Sequence, residues 1–374
     1  MTGKNRGVQA GFVFALFSLL LGSSAAGAVD IGGAVETSLV GTVTGAGKIE
    51  PRLENKINLQ FHLPREARTN ARLEVELQQG EKVTGALVKS LYIRQRFDRA
   101  HLTVGRQPVS WSFGALFNPV DFNPGAEALE EETAGKFVNA VEVYIPVAWN
   151  AGISLLSAFP STADDPKWGA RVRGGFGGYD LAVNYVWEPA QKITWPGLGE
   201  ISFPTEQRLG FTVKGDLGPV GVYGALGFTR PEGGKASRSL LAGVDYSRVL
   251  RYIHPLSVQV EYVGLEAGTP LFPGRLGIPV ISTNPVDENI NLAAGRVSYG
   301  IDDFTTIGLL AVTGLDDQSL VLMPSCETYL GSNVMLTVRG GIYRGEEGTL
   351  FGPPPGTGRK AVRGAFAVSL QYPF

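Results

Sequence analysis

The segment "AVRGAFAVSLQYPF", residues 361–374, decides the fold. Phe366, Val368, Leu370, Tyr372 and Phe374 fall on every second position, so in an extended chain they share one face. Arg363 takes the opposite parity, and an aromatic residue stands last, still inside the strand pattern.

The same period of two runs back through the sequence. In "RLENKINLQFH" (52–62), Arg52, Glu54, Lys56, Asn58, Gln60 and His62 alternate with Leu53, Ile57, Leu59 and Phe61. "ARLEVELQ" (71–78) and "LVKSLYIRQRF" (87–97) repeat the pattern, and helical periodicity is hard to find. A soluble sandwich would alternate in the same way, with its polar face in water. The terminal strand argues against it, because it resembles the C-terminal strand of bacterial outer-membrane barrels. That resemblance implies that Phe374 is the signal read by the outer-membrane barrel assembly machinery.

The other end agrees. Lys4 and Arg6 precede an apolar run from Phe12 to Leu21, and Ala26-Gly27-Ala28 offers a small-x-small cleavage pattern. Residues 1–28 therefore read as a signal peptide and 29–374 as the barrel; the apolar run is well short of the ~20 residues a spanning helix needs. The expected fold is all-β, a transmembrane antiparallel β-barrel of about 18 strands, with 16 the nearest even alternative. The strands run from 31–43 and 50–62 to 332–344 and 361–373. Closure is required because hydrocarbon offers no partner to an unpaired strand edge. Short connections such as "FDRA", "GGYD" and "GIDD" alternate with long ones at 108–136, 189–205, 266–288 and 345–360, as periplasmic turns alternate with external loops in such barrels.

Composition removes several classes of function. A formal charge of -2, slightly more negative without Lys4 and Arg6, is too mild for a nucleic-acid partner. One cysteine, Cys326, cannot build a disulfide framework. The 50 Gly, 23 Pro and 44% hydrophobic residues fit neither a disordered chain nor a helical membrane protein. No His or Cys spacing suits a metal, and no cofactor is expected. Of the three histidines, His62 and His101 fall near periplasmic strand ends and His254 in a periplasmic turn. None has a Ser or acid at catalytic spacing, which argues against an enzyme.

The longest aromatic and acidic connection is the third external loop, 108–136. Its start, "GRQPVSWSFGALFNPVDFNP" (105–124), resembles the Gly-Arg-Gln, Trp, Gly, Phe/Trp-Asn-Pro-x-Asp segment of porin-like barrels related to the alginate-export type. Porins fold this loop into the channel, so the resemblance implies a constriction built from Trp111, Phe117, Asn118, Asp121, Glu127, Glu130, Glu131 and Glu132. Pro108, Pro119 and Pro124 stiffen the segment. Opposite charge lies on the polar parity of the strands, at Arg94, Arg96, Arg171, Arg173, Arg208, Lys214, Arg339 and Arg363. Loop acids facing these bases would set up a transverse field. Alternatively, the bases pair with Glu74, Glu76, Glu142, Asp245 and Glu261 in the lumen and the loop acids face water. Arg106 falls on the apolar parity, which implies a bulge or a place beyond the bilayer band.

The expected function is passive diffusion of small polar solutes (sugars, organic acids or anions) across the outer membrane. Outer-membrane lipid and lipopolysaccharide would surround the barrel. The alternative is a non-transporting barrel that binds or anchors a surface polysaccharide or partner, with Trp187, Trp195, Phe203, Phe272 and Phe351 as sugar platforms. Tyr92, Tyr223 and Tyr343 fall on inward parity.

Overall fold

In the computed structural model, each barrel strand pairs antiparallel with the next until the last returns to the first. The structure describes residues 29–62, 68–80, 84–109, 111, 116, 137–160, 165–195, 199–251, 253–267, 289–331, 333–353 and 362–374. The expected signal peptide, 1–28, lies outside them.

The wall begins with β1 (Asp30–Thr44), β2 (Ile49–His62), β3 (Thr69–Gly80), β4 (Thr84–Arg96) and β5 (His101–Pro108). It continues through β6 (Phe137–Ala148), β7 (Ala151–Ala158), β8 (Lys167–Phe176) and β9 (Tyr179–Glu188). A hairpin, β10 (Gln191–Trp195) and β11 (Gly199–Phe203), stands apart from the wall. Next come β12 (Glu206–Leu217), β13 (Val220–Pro231), β14 (Ser237–Leu250), β15 (His254–Leu265) and β16 (Ile290–Gly300). The wall ends with β17 (Thr305–Gly314), β18 (Leu320–Leu330), β19 (Val334–Arg344) and β20 (Val362–Pro373). Without the hairpin this is one sheet of 18 strands, the number expected from the alternation. β1 pairs with β20 as well as β2, and the amides of Gly33 and Phe374 each donate to the other's carbonyl at 2.9 Å. Closure leaves no free edge for hydrocarbon to desolvate.

One end of the barrel (the turn end) carries only connections of a few residues, and the long connections all lie at the other (the loop end), together with short ones such as those after β1 and β3. The period of two sends alternate side chains outward and inward. On β12, outward Leu209, Phe211 and Val213 are exposed in the lone chain, while inward Arg208, Gly210 and Thr212 are buried. Outward aromatics mark both ends of the apolar band. Phe97, Trp149, Phe176, Phe304 and Phe374 lie at the turn end, and Trp168 pairs with Trp187 near the loop end. An apolar band with aromatic rings at both ends is the surface that a bilayer-spanning barrel presents to lipid.

The core lies inside the barrel. At the loop end, Leu241, Val263, Leu292, Val312 and Val321, from β14 to β18, form one buried apolar cluster. Ala140, Leu156, Ala158 and Val186, from β6, β7 and β9, form a second. Toward the turn end the inward positions are more open, and Arg173, Lys214, Ser247, Arg296 and Arg339 are exposed to the lumen. The barrel is therefore hollow at one end and filled at the other.

Candidate functional site

What fills the loop end is the start of the third loop. Val109 and Trp111 join the β6–β9 cluster, and Leu116 joins the β13–β18 cluster. Two side chains of the wall fix this path. Asn184 on β9 donates from Nδ2 to the Trp111 carbonyl at 3.2 Å. Glu261 on β15 accepts the Leu116 amide at 2.9 Å and the Tyr223 hydroxyl at 2.7 Å through Oε1. Trp111 and Leu116 are thus held inside the lumen against strands four positions apart round the barrel, β9 and β15. Phe117, Asn118, Asp121, Glu127, Glu130, Glu131 and Glu132 lie outside the described residues.

The start of this loop also roofs a cavity. Pro108, Val109 and Trp111 cover a space of about 270 Å³ walled by Arg94, Glu142, Arg171 and Arg173, with His101, Thr103, Tyr144 and Ser154 between them. Strand geometry explains the convergence. Arg171 and Arg173 share the inward face of β8, Glu142 and Tyr144 that of β6, and Arg94 pairs in register with Thr103 across β4 and β5. Arg94 Nε donates to Thr103 Oγ1 at 3.2 Å. Arg173 donates to the Tyr144 hydroxyl at 3.2 Å and lies 5.3 Å from that ring's centre, within cation–π range. Three guanidiniums against one carboxylate leave the cavity cationic.

The other expected bases lie elsewhere. Arg208 is buried and bonds Glu188 at 2.6 Å and Glu206 at 3.3 Å, and Lys167 reaches the same Glu188 at 3.2 Å. Lys167, Arg171 and Arg173 therefore form a cationic column on the inward face of β8, about 20 Å long at the usual rise per residue. Lys214 faces the lumen near the turn end and Arg96 ends β4 there. Arg339, on the far wall, pairs with Glu327 at 3.2 Å. Arg363 stands at the loop end, where it donates to the Gly345 carbonyl at 3.3 Å.

Three inward bases escape the sequence reading: Lys89, Lys167 and Arg296. Lys167 falls one residue before the strand expected at 168–176. Arg296 follows Leu292 and Ala294 on one parity, so apolar neighbours hide its inward direction. Lys89 turns inward at a bulge where the β3–β4 register shifts after Glu74, and there it pairs with Glu76. The same irregularity accounts for Arg106, whose Nε donates to the Val88 carbonyl at 2.7 Å; adjacent Gly105 has φ +124°, a backbone that favours glycine. Of the expected sugar platforms, Trp187 faces outward, but Phe351 is buried inside the barrel with Leu116. It is unavailable to a sugar.

No family model matches the sequence, and no curated protein is similar to it in sequence. Solved structures are similar in fold. Wzi of Escherichia coli, described as a carbohydrate-binding β-barrel of the outer membrane involved in group 1 capsule assembly, has a TM-score of 0.60 at 14% identity, covering 97% of this chain and 88% of its own. OccK11 (OpdR) of Pseudomonas aeruginosa has a TM-score of 0.59 at 11% identity, covering 92% and 96%. The outer-membrane protein OmpT of Vibrio cholerae, in its trimer form, has 0.51 at 12%, covering 93% and 100%. What the chain shares with them is the fold, the closed β-barrel of bacterial outer-membrane proteins.

Proposed function

We propose that the protein is a passive outer-membrane channel for small polar solutes, with anions and organic acids favoured over sugars. The observation that carries this reading is the cationic cavity of Arg94, Arg171 and Arg173 beneath Trp111, at the point where the inward loop leaves the wall. A carboxylate or phosphate finds fork-shaped donors there. Lys214 and Arg296, exposed to the lumen toward the turn end, offer further cationic positions, so an anion has more than one place to pause, as conduction requires. The loop 108–136 sets the width. The resemblance to the alginate-export type rests on residues 105–124 alone and adds architecture rather than a substrate.

A second reading has its own support. The loop-end half of the lumen is packed with side chains, and a filled barrel suits a protein that binds a surface polysaccharide; Wzi, similar in fold, is a carbohydrate-binding β-barrel. Planar-bilayer recording on the purified, folded protein separates the two. The channel reading expects discrete current steps with anion preference. Arg171→Gln with Arg173→Gln should move the reversal potential toward cation preference, and the shift should shrink in 1 M salt, where the Debye length is about 3 Å. If no current appears under any condition, the channel reading fails, and polysaccharide binding to the folded barrel becomes the measurement.

A further inference from the structure

We infer that residues 345–353, which follow β19, form a second occluding element, latched to the β17–β18 connection and holding the start of the inward third loop in place. The segment 345–353 is a folded unit. The Gly348 amide donates to the Pro353 carbonyl at 2.9 Å, the Gly352 amide to the Thr349 carbonyl at 3.1 Å, and Gly348 has φ +86°. Its last three residues are buried, although loops at a barrel mouth ordinarily face water.

The latch is Asp317, with Ser319 beside it. Asp317 Oδ2 accepts the Leu350 amide at 2.6 Å. Its Oδ1 accepts the amide and the hydroxyl of Ser319 at 3.0 and 2.7 Å. Ser319, fully buried, in turn accepts the Phe351 amide at 3.3 Å. One carboxylate thus orders two loops, through bonds of the charge-assisted kind. Burial would push the Asp317 carboxyl up, but the amides of Leu350 and Ser319 and the Ser319 hydroxyl outweigh burial and hold it below the usual range.

The latch aims Phe351 inward. Its ring joins the apolar cluster that contains Leu116, Leu292, Val312 and Val321, with Leu350 and Tyr343 packed alongside. The two loops are therefore parts of one plug, anchored by a carboxylate on each side: Glu261 holds Leu116, and Asp317 holds Leu350. Withdrawing Phe351 removes packing from the cluster that seats Leu116, so the second loop sets how firmly the first is docked. The consequence for conduction rests on the channel reading; the coupling between the loops does not.

Hydrogen exchange by mass spectrometry, with bilayer recording on the same preparations, tests both. In Asp317→Ala, peptides covering 345–353 should exchange faster by at least about tenfold, the factor for one lost charge-assisted hydrogen bond. The peptide containing Leu116 should also speed up, and conductance should rise. If Asp317→Ala fails to fold, as judged by heat-modifiable migration, Ser319→Ala and Phe351→Ala are read in its place. Faster exchange at 345–353 with no change at Leu116 would overturn the inference. Faster exchange at both, with no current from any variant, would leave the coupling standing and remove the channel reading instead.

Discussion

Replacing Glu261 with alanine should undock the third loop. The Glu261 carboxylate is 1% exposed and lies among apolar side chains. Among the described residues it accepts a bond from the loop, from Leu116, and a bond from the wall, from Tyr223. A hydrogen bond to a charged group contributes about 1.5 to 3 kcal/mol, so losing the Leu116 bond shifts the docking equilibrium by roughly 10- to 150-fold. Glu261→Gln keeps an acceptor oxygen and should move docking far less. Asn184→Ala, which removes a neutral bond to the Trp111 carbonyl, should cost about 1 kcal/mol, several-fold in the same equilibrium. The assay is hydrogen exchange at Leu116 combined with open-channel noise in a planar bilayer. Selectivity provides a control, since Glu261→Gln removes the charge but leaves the acceptor. If Glu261→Ala alters selectivity while exchange at Leu116 stays at the wild-type rate, the carboxylate acts through its field and the anchoring argument is wrong.

The lipid-facing parity is open to a direct test on β12. Phe211→Arg, on the outward face near mid-strand, should cost about 2 to 4 kcal/mol, and Lys214→Glu, on the inward face, much less; equal shifts in a denaturant titration of the folded barrel would refute the assignment. Phe374→Ser should lower the folded fraction while secretion continues, and unchanged heat-modifiable migration would remove the assembly role. The ring of Phe374 lies over Gly33 at the closing seam, so the change also loosens closure. The Asp317 latch carries a pH dependence. Its carboxyl is held below the ordinary range, so the latch is at full strength above about pH 4, the unfolded value, and weakens as pH falls through the lowered one. Protection at 345–353, relative to the intrinsic exchange rate at each pH, should therefore fall only in acid. Asp316, Arg344, Glu346, Glu347 and Arg363 stand on the same elements, so Asp317→Ala, which should lack the acid step, is the control; an acid step of equal size in that variant would assign it elsewhere.

The strand number and most strand limits were legible because alternation and turn chemistry are local. The expected 31–43 and 50–62 became Asp30–Thr44 and Ile49–His62. The hairpin β10–β11 falls within the expected connection 189–205, because two five-residue strands are too short for period two to register. The direction of Lys89 was hidden because a bulge is a property of two strands and cannot be read from either alone. The filling of the lumen was hidden for a different reason. Leu241, Val263, Leu292, Val312 and Val321 are inward residues, but apolar side chains also occupy the outward face of the same strands, and side-chain type alone does not tell lipid from plug there. Arg94, Arg171 and Arg173 were legible as inward bases, but their meeting in one cavity depends on the register of β4 to β8. Glu261 looked like a partner for a lumenal base and proved instead to hold a backbone amide.

A vessel open at one mouth and stoppered at the other is asymmetric in time without being asymmetric in equilibrium. On the channel reading, a solute arriving from the turn end reaches the guanidiniums beneath Trp111 past lumen-exposed side chains such as Lys214 and Arg173. The same solute arriving from the loop end waits for Trp111, Leu116 and Phe351 to give way. Detailed balance fixes the occupancy of the cavity by concentration alone, whichever mouth supplies it. The waiting time before capture carries the asymmetry, and the length of each stay is the same from either direction.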